Sequence, residues 1–166
     1  NEDGVTMEYT GYDGRLIKQT DVNMLAYPLG VVTDKEQTLR DINYYFDRID
    51  PNGPAMSNAI IAVLHARLGD PETAFKVFKK SYTDKLRPPF GVLSENANNS
   101  RVSFATGLGG ILQSVIFGFA GVEITPEGII QLPTRLPSHW KSLIVTGVGV
   151  DRQTFKVENP DYKATK

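Results

Sequence analysis

Phe104-Ala-Thr-Gly-Leu-Gly-Gly-Ile-Leu-Gln-Ser-Val-Ile-Phe-Gly-Phe-Ala-Gly121 carries no charged side chain. From Gly107 to about Phe119 it reads as a helix that is apolar on almost every side, and such a helix is expected deep inside a core. Helical periodicity precedes it and strand alternation follows it, so this stretch marks where the chain changes character. Immediately ahead lies a polar, irregular loop, Pro88-Pro-Phe-Gly-Val-Leu-Ser-Glu-Asn-Ala-Asn-Asn-Ser100, in which Glu95 is the one carboxylate. Loops held by rigid elements are where catalytic and binding groups concentrate. Glu95 is therefore the first candidate for chemistry, with Asn96, Asn98 and Asn99 as hydrogen-bonding groups for a carboxylate or for sugar hydroxyls. As an ordinary exposed loop glutamate it would do nothing.

Working back from the loop, Asp70 caps a helix that begins at Pro71. Its inner face is Ala74, Phe75, Val77, Phe78 and Tyr82, and Lys76, Lys79 and Lys80 form a solvated outer face. Ala55 to Leu68 is a helix apolar almost all round. Asp50-Pro51-Asn52-Gly53-Pro54 is a turn by composition. A further helix is expected from Lys35 to about Ile49, with Asp34 and Gln37 as a capping box and Leu39, Ile42, Tyr45, Phe46 and Ile49 on one face. A short helix from about Asp21 to Tyr27 ends at Pro28, and residues 1–14 read as a loop. Downstream, residues 122–125 and 129–132 read as a hairpin around Pro126-Glu127-Gly128. Trp140 to Val150 and Thr154 to Glu158 alternate as strands, and Pro160 onward reads as a tail. The expectation is mainly α, with a small antiparallel β-domain.

The 166 residues suit one domain with a proper core. A formal charge of -1 removes the electrostatic argument for nucleic acid or an anionic membrane. No apolar run approaches the roughly 18 residues of a membrane-spanning helix, so a soluble chain is expected. It begins Asn-Glu-Asp-Gly rather than with Met, which suggests a piece of a longer protein. The compartment is left open, with a periplasmic or secreted parent one expectation. Without cysteine, and with only His65 and His139, a zinc site is not expected. Nothing implies a metal or an organic cofactor.

Three other features have two readings each. Gly107-Leu108-Gly109-Gly110 at a helix start presents N–H groups to an anion or permits close packing against a neighbouring helix. His65 falls on an apolar helix and reads as a core residue rather than a base. Trp140 stacks on a sugar or anchors the strands to the helices.

Gly11-Tyr12, Ile17-Lys18-Gln19-Thr20-Asp21-Val22, Leu25-Ala26-Tyr27-Pro28-Leu29, Gly53-Pro54-Ala55-Met56 and the 104–119 stretch, taken in this order, resemble glycoside hydrolase family 65. That family contains acid trehalases, kojibiose hydrolases, a glucosidase acting on glucosyl-galactosyl-hydroxylysine, and disaccharide phosphorylases. The resemblance implies the later part of an (α/α)6 barrel over residues 1–120, followed by a small β-domain over 121–166. About half a barrel is present, so the remaining helices come from outside this chain, and the chain alone would expose an apolar wall. Glu95 matches the general base of the hydrolases, and Lys18 and Gln19 match contacts to the nonreducing glucose. The general acid lies on a segment upstream of the Lys-Gln motif, where Glu2 and Glu8 do not fit.

Within the resemblance, an inverting hydrolase needs a base to activate water, and a phosphorylase does not, because phosphate itself attacks. The phosphorylases carry a His-containing phosphate-binding segment where this chain reads Asn99-Ser-Arg-Val-Ser-Phe-Ala105. A hydrolase of α-glucoside disaccharides is the expectation. A phosphorylase and a non-catalytic carbohydrate-binding or interaction module are the alternatives.

Overall fold

The computed structural model describes residues 1–98 and 103–162. Five α-helices and three two-stranded antiparallel sheets follow one another: α1 (Asp21–Met24), α2 (Lys35–Phe46), α3 (Met56–Arg67), α4 (Pro71–Lys80), β1 (Leu86–Arg87), β2 (Val92–Leu93), α5 (Ala105–Gln113), β3 (Val122–Thr125), β4 (Gly128–Gln131), β5 (Ser142–Val148) and β6 (Gln153–Glu158). The helices-then-strands order matches expectation, but the strands do not form one sheet. β3 pairs with β4 and β5 with β6 as separate hairpins. The β1–β2 pair, of which β1 lies just ahead of the 88–100 loop and β2 within it, has no counterpart in the expected strands.

α3 is the centre. Ala59, Ile61, Ala62 and Val63 are fully buried, and both α4 and α5 pack on the helix. The α5 face is built from absent side chains. A Cβ at Gly107 would lie 3.0 Å from Ala55 Cβ, one at Gly110 2.9 Å from Ala59 Cβ, and one at Gly118 3.2 Å from the Val63 backbone. Ser114, between them on the same face, lies with its buried Oγ 3.0 Å from the carbonyl oxygens of both Ala59 and Gly110. Close packing thus accounts for Gly107 and Gly110. Gly110→Val is expected to destabilise the full-length protein by about 1–3 kcal/mol through overpacking. Chemical denaturation measures this, and an unchanged midpoint would mean that the two helices part without cost.

Deep burial of the whole 107–119 helix is not what the structure has. Leu108 and Leu112 are exposed on the face away from α3, at 44% and 61%. The glycine face packs on α3, and Gln113 accepts a hydrogen bond from the Tyr27 hydroxyl at 2.9 Å, while Leu108 and Leu112 face outward. Beyond Gln113 it widens to a π-helix over Ser114–Phe119, with Ala120 N–H donating to Val115 O at 2.9 Å. Phe119 at its end is fully buried, its ring 5.7 Å from that of Phe78 and 5.0 Å from that of Trp140. Trp140 also meets Phe75 edge-on. It therefore anchors the strands to the helices, as one of its two readings has it.

Other boundaries move for local reasons. α1 is a single turn, because Ala26 and Tyr27 both return to Asn23 O and the chain then turns away. α2 stops at Phe46, and Ile49 leaves the helix to bridge Ile17. Asp34 accepts from Gln37 N–H at 2.6 Å, but the Gln37 amide does not return the bond. It reaches Gly4 O and the buried Asp41 instead. Asp41 also takes the N–H of Thr6, and Tyr45 donates to Thr6 O. The inner face of α2 is thus Thr38, Asp41, Ile42 and Tyr45, with Leu39 outside. Polar partners from the N-terminal segment make a carboxylate acceptable where periodicity expects an apolar residue.

Arg67, at the end of α3, ties the helices to β3. Its Nε donates to Phe117 O, its Nη2 pairs with Glu123, and its guanidinium lies 4.5 Å from the Tyr27 ring centre.

Candidate active site

The Lys18-Gln19 segment is held from behind. Ile17 N–H donates to Arg48 O and Ile17 O accepts from Asp50 N–H, both at 2.8 Å. Lys18 is exposed, while Gln19 is partly buried with its amide 3.3 Å from Asp21 Oδ1. The Gly53-Pro54-Ala55 tripeptide follows Asp50 and meets two segments at once. A Cβ at Gly53 would fall 2.7 Å from Lys18 O, and Ala55 N–H donates to Glu95 O at 3.0 Å. Three consecutive residues therefore set the Lys18-Gln19 segment and the Glu95 segment against the start of α3.

The Glu95 loop has its own supports. Ser94, fully buried, donates its N–H to Lys85 O at 2.9 Å, and its Oγ lies 2.7 Å from Asn96 O. Arg87 Nη2 donates to Asn96 O at 2.9 Å and to Ala97 O at 2.6 Å. Downstream, Phe104 N–H donates to Leu93 O, which returns the chain beside the loop. Ser103 just before it has φ of 64°, left-handed and uncommon for a residue with a side chain. Asn96 and Asn98 turn out to support the backbone. Asn96 Oδ1 takes the N–H of Asn98, and the Asn98 amide reaches Asn52. Asn99 lies outside the described residues.

Beside these segments is a cleft of about 320 Å³, lined by Gln19, Met24, Met56, Ile60, Thr106 and Gln113 among others. Gln19 thus faces a cavity with an apolar floor and polar edges, the character of a small-molecule pocket. Neither Lys18 nor Glu95 is in its lining. The structure joins Gln19 and the Glu95 backbone at one end of the α3–α5 pair through Gly53 to Ala55. Larger clefts lie elsewhere and hold none of the expected site residues.

Glu8 and His65 are among the titratable groups that burial shifts. Burial pushes the Glu8 carboxyl above its ordinary value, and the backbone N–H of Val22 pulls against that. Burial also lowers the His65 pKa, with Asp70 opposing. Its ring lies 3.9 Å from the Asp70 carboxylate and away from the Gln19 cleft, in keeping with a core histidine. Among the described residues no group of three or more His, Asp or Glu is placed to hold a metal ion. Gly53 and Arg87 were missed as site residues. A turn glycine and a strand arginine give no sign in one sequence of the carbonyls they will meet.

No protein-family model matches the chain. Its curated relatives do. It is 48% identical over 157 residues to a kojibiose hydrolase of Mucilaginibacter mallensis, a match covering 94% of this chain and 23% of the relative. This chain is a homologue of glycosidases over most of its length. The resemblance to glycoside hydrolase family 65 is carried further by a protein-glucosylgalactosylhydroxylysine glucosidase of Dictyostelium discoideum, 37% identical over 150 residues, 90% of this chain and 21% of that one. A cell wall acid trehalase of Arthroderma benhamiae is 32% identical over 146 residues, 80% of this chain and 14% of the relative. The chain spans less than a quarter of the length of each. No helix among the described residues is long and apolar enough to cross a membrane.

Proposed function

We propose that the full-length polypeptide carrying this chain is an inverting hydrolase of glucose-containing α-disaccharides of the kojibiose or trehalose type. Residues 1–120 form the later part of its (α/α)6 barrel and residues 121–166 the β-appendage. Glu95 is the general base that activates water, and Lys18 and Gln19 hold hydroxyls of the nonreducing glucose. The general acid and the remaining barrel helices come from the rest of the polypeptide, and this chain alone is inactive. Exposed Leu108, Leu112 and Met24 supply an apolar surface for those helices. The cell-wall name of one relative supports a secreted parent.

The observation that carries this reading is the joining of Lys18-Gln19 and Glu95 by Gly53 to Ala55. An inverting enzyme holds its water between two carboxyl groups roughly 6.5–9.5 Å apart, and a base so used must be fixed relative to the sugar contacts. A shared backbone anchor does that. The relatives named above are hydrolases, which supports water rather than phosphate as the attacking group.

The test is glucose release from kojibiose and trehalose by the full-length polypeptide, with and without phosphate. Release independent of phosphate, with the nonreducing glucose first appearing as the β-anomer by NMR, is expected. Glucose 1-phosphate formed only when phosphate is present would make the protein a phosphorylase and remove the role of Glu95.

A further inference from the structure

Thr20, Asn23 and Ser57 are 2%, 2% and 3% exposed. Thr20 Oγ1, Ser57 Oγ and both amide atoms of the Asn23 side chain have no hydrogen-bond partner among the described residues. Buried polar groups are nearly always paired, so each of these atoms calls for a partner. They lie where α1 meets α3. Thr20 is the N-cap of α1, Asn23 stands in its single turn and Ser57 in the first turn of α3, and Thr20 and Ser57 border the same cleft as Gln19.

Local structure leaves these groups available. Thr20 occupies the N-cap of α1, where a threonine hydroxyl ordinarily accepts an N–H of the first turn, yet it makes no capping bond. The Glu8 carboxylate interacts with the N–H groups of Val22 and Asp21 at that helix start instead. The backbone oxygen of Asn23 is used by Ala26 and Tyr27, while its side chain is not used at all.

We propose that Thr20, Asn23 and Ser57 grip one buried water molecule, and that this bridge positions the adjacent Gln19 for its sugar contact. Two hydroxyls and an amide offer both donors and acceptors, which suits a water that gives two hydrogen bonds and takes two. All four atoms are shut off from the surface, so a larger ligand would have to displace what covers them. Thr20 follows Gln19 directly, and anchoring its side chain to α3 fixes the direction in which the preceding amide leaves the backbone. The positioning role rests on the reading of Gln19 as a glucose contact. Thr20, Asn23 and Ser57 are positioning residues and do not themselves touch the sugar.

Two measurements on the full-length protein test this. In a crystal structure that shows ordered solvent, one water is expected within hydrogen-bond distance of Thr20 Oγ1, Ser57 Oγ and the Asn23 amide. A dry seam, or one filled by another side chain, overturns the proposal. In kinetics, Thr20→Val keeps the shape and loses the hydroxyl, while Thr20→Ser keeps the hydroxyl. Thr20→Val is expected to lower kcat/KM about tenfold, the worth of one hydrogen bond near the top of its usual range. The loss should fall mainly on KM, with Thr20→Ser close to wild type. Equal losses in both variants, or an unchanged KM in Thr20→Val, overturn the positioning role. A wild-type protein with no glucosidase activity would defeat the proposed function and that role with it, and the crystal structure alone would then decide the water.

Discussion

Glu95→Gln in the full-length protein is expected to abolish hydrolysis, lowering kcat by about 10²–10⁴-fold with KM little changed. That range is what a positioned general base contributes. Gln preserves the size of the side chain and one of its oxygens but cannot take a proton from water. The loop beneath it is held by Ser94 and Arg87 through backbone carbonyls, and Gln keeps the shape of the side chain above it. Binding should therefore survive while turnover is lost. Glucose release from kojibiose under saturating and limiting substrate separates the two. Retained turnover would show that another group activates water, and a loss confined to KM would make Glu95 a binding residue.

The second large effect is expected at Gly53, a residue with no functional group. Its substitution by Ala puts a carbon 2.7 Å from Lys18 O and 2.8 Å from Asp50 O. Both are backbone atoms. Neither can swing aside as the end of a side chain can, so either the Lys18-Gln19 segment moves or Pro54 and Ala55 do. In the second case the bond from Ala55 to Glu95 O is strained. Misplacing a positioning group by about 1 Å costs on the order of 100-fold, and a loss of that size in kcat/KM is expected. Thermal unfolding should show a drop of a size typical of overpacking, about 1–3 kcal/mol. Near-normal activity in a folded variant would cut the proposed link between the two segments.

The apolar character of 104–119 and the helices before it were legible because burial writes a period into the sequence. So was the first hairpin, since Pro126-Glu127-Gly128 lies between short apolar strands, whereas 140–150 and 154–158 were legible as strands but not as a pair. The inner face of α2 was legible only in part. Asp41 sits inside because Thr6 N–H and the Gln37 amide meet it there, and a contact 35 residues away in sequence leaves no local mark. The same holds for Asn96 and Asn98. Their residue type suits a ligand site as well as a turn, and their partners in space decide which.

By itself the sequence determined that helices precede strands, where the glycine-rich stretch falls, and the motifs that carry the resemblance to glycosidases. These are properties of single segments and survive in a list of residues. Only the tertiary structure decided that Gly53 to Ala55 joins Lys18-Gln19 to Glu95, that Leu108 and Leu112 lie on the surface, and that three polar side chains are buried without partners. Each of these is set by which distant segment comes to lie alongside, and the local pattern of hydrophobicity does not encode the identity of the neighbour.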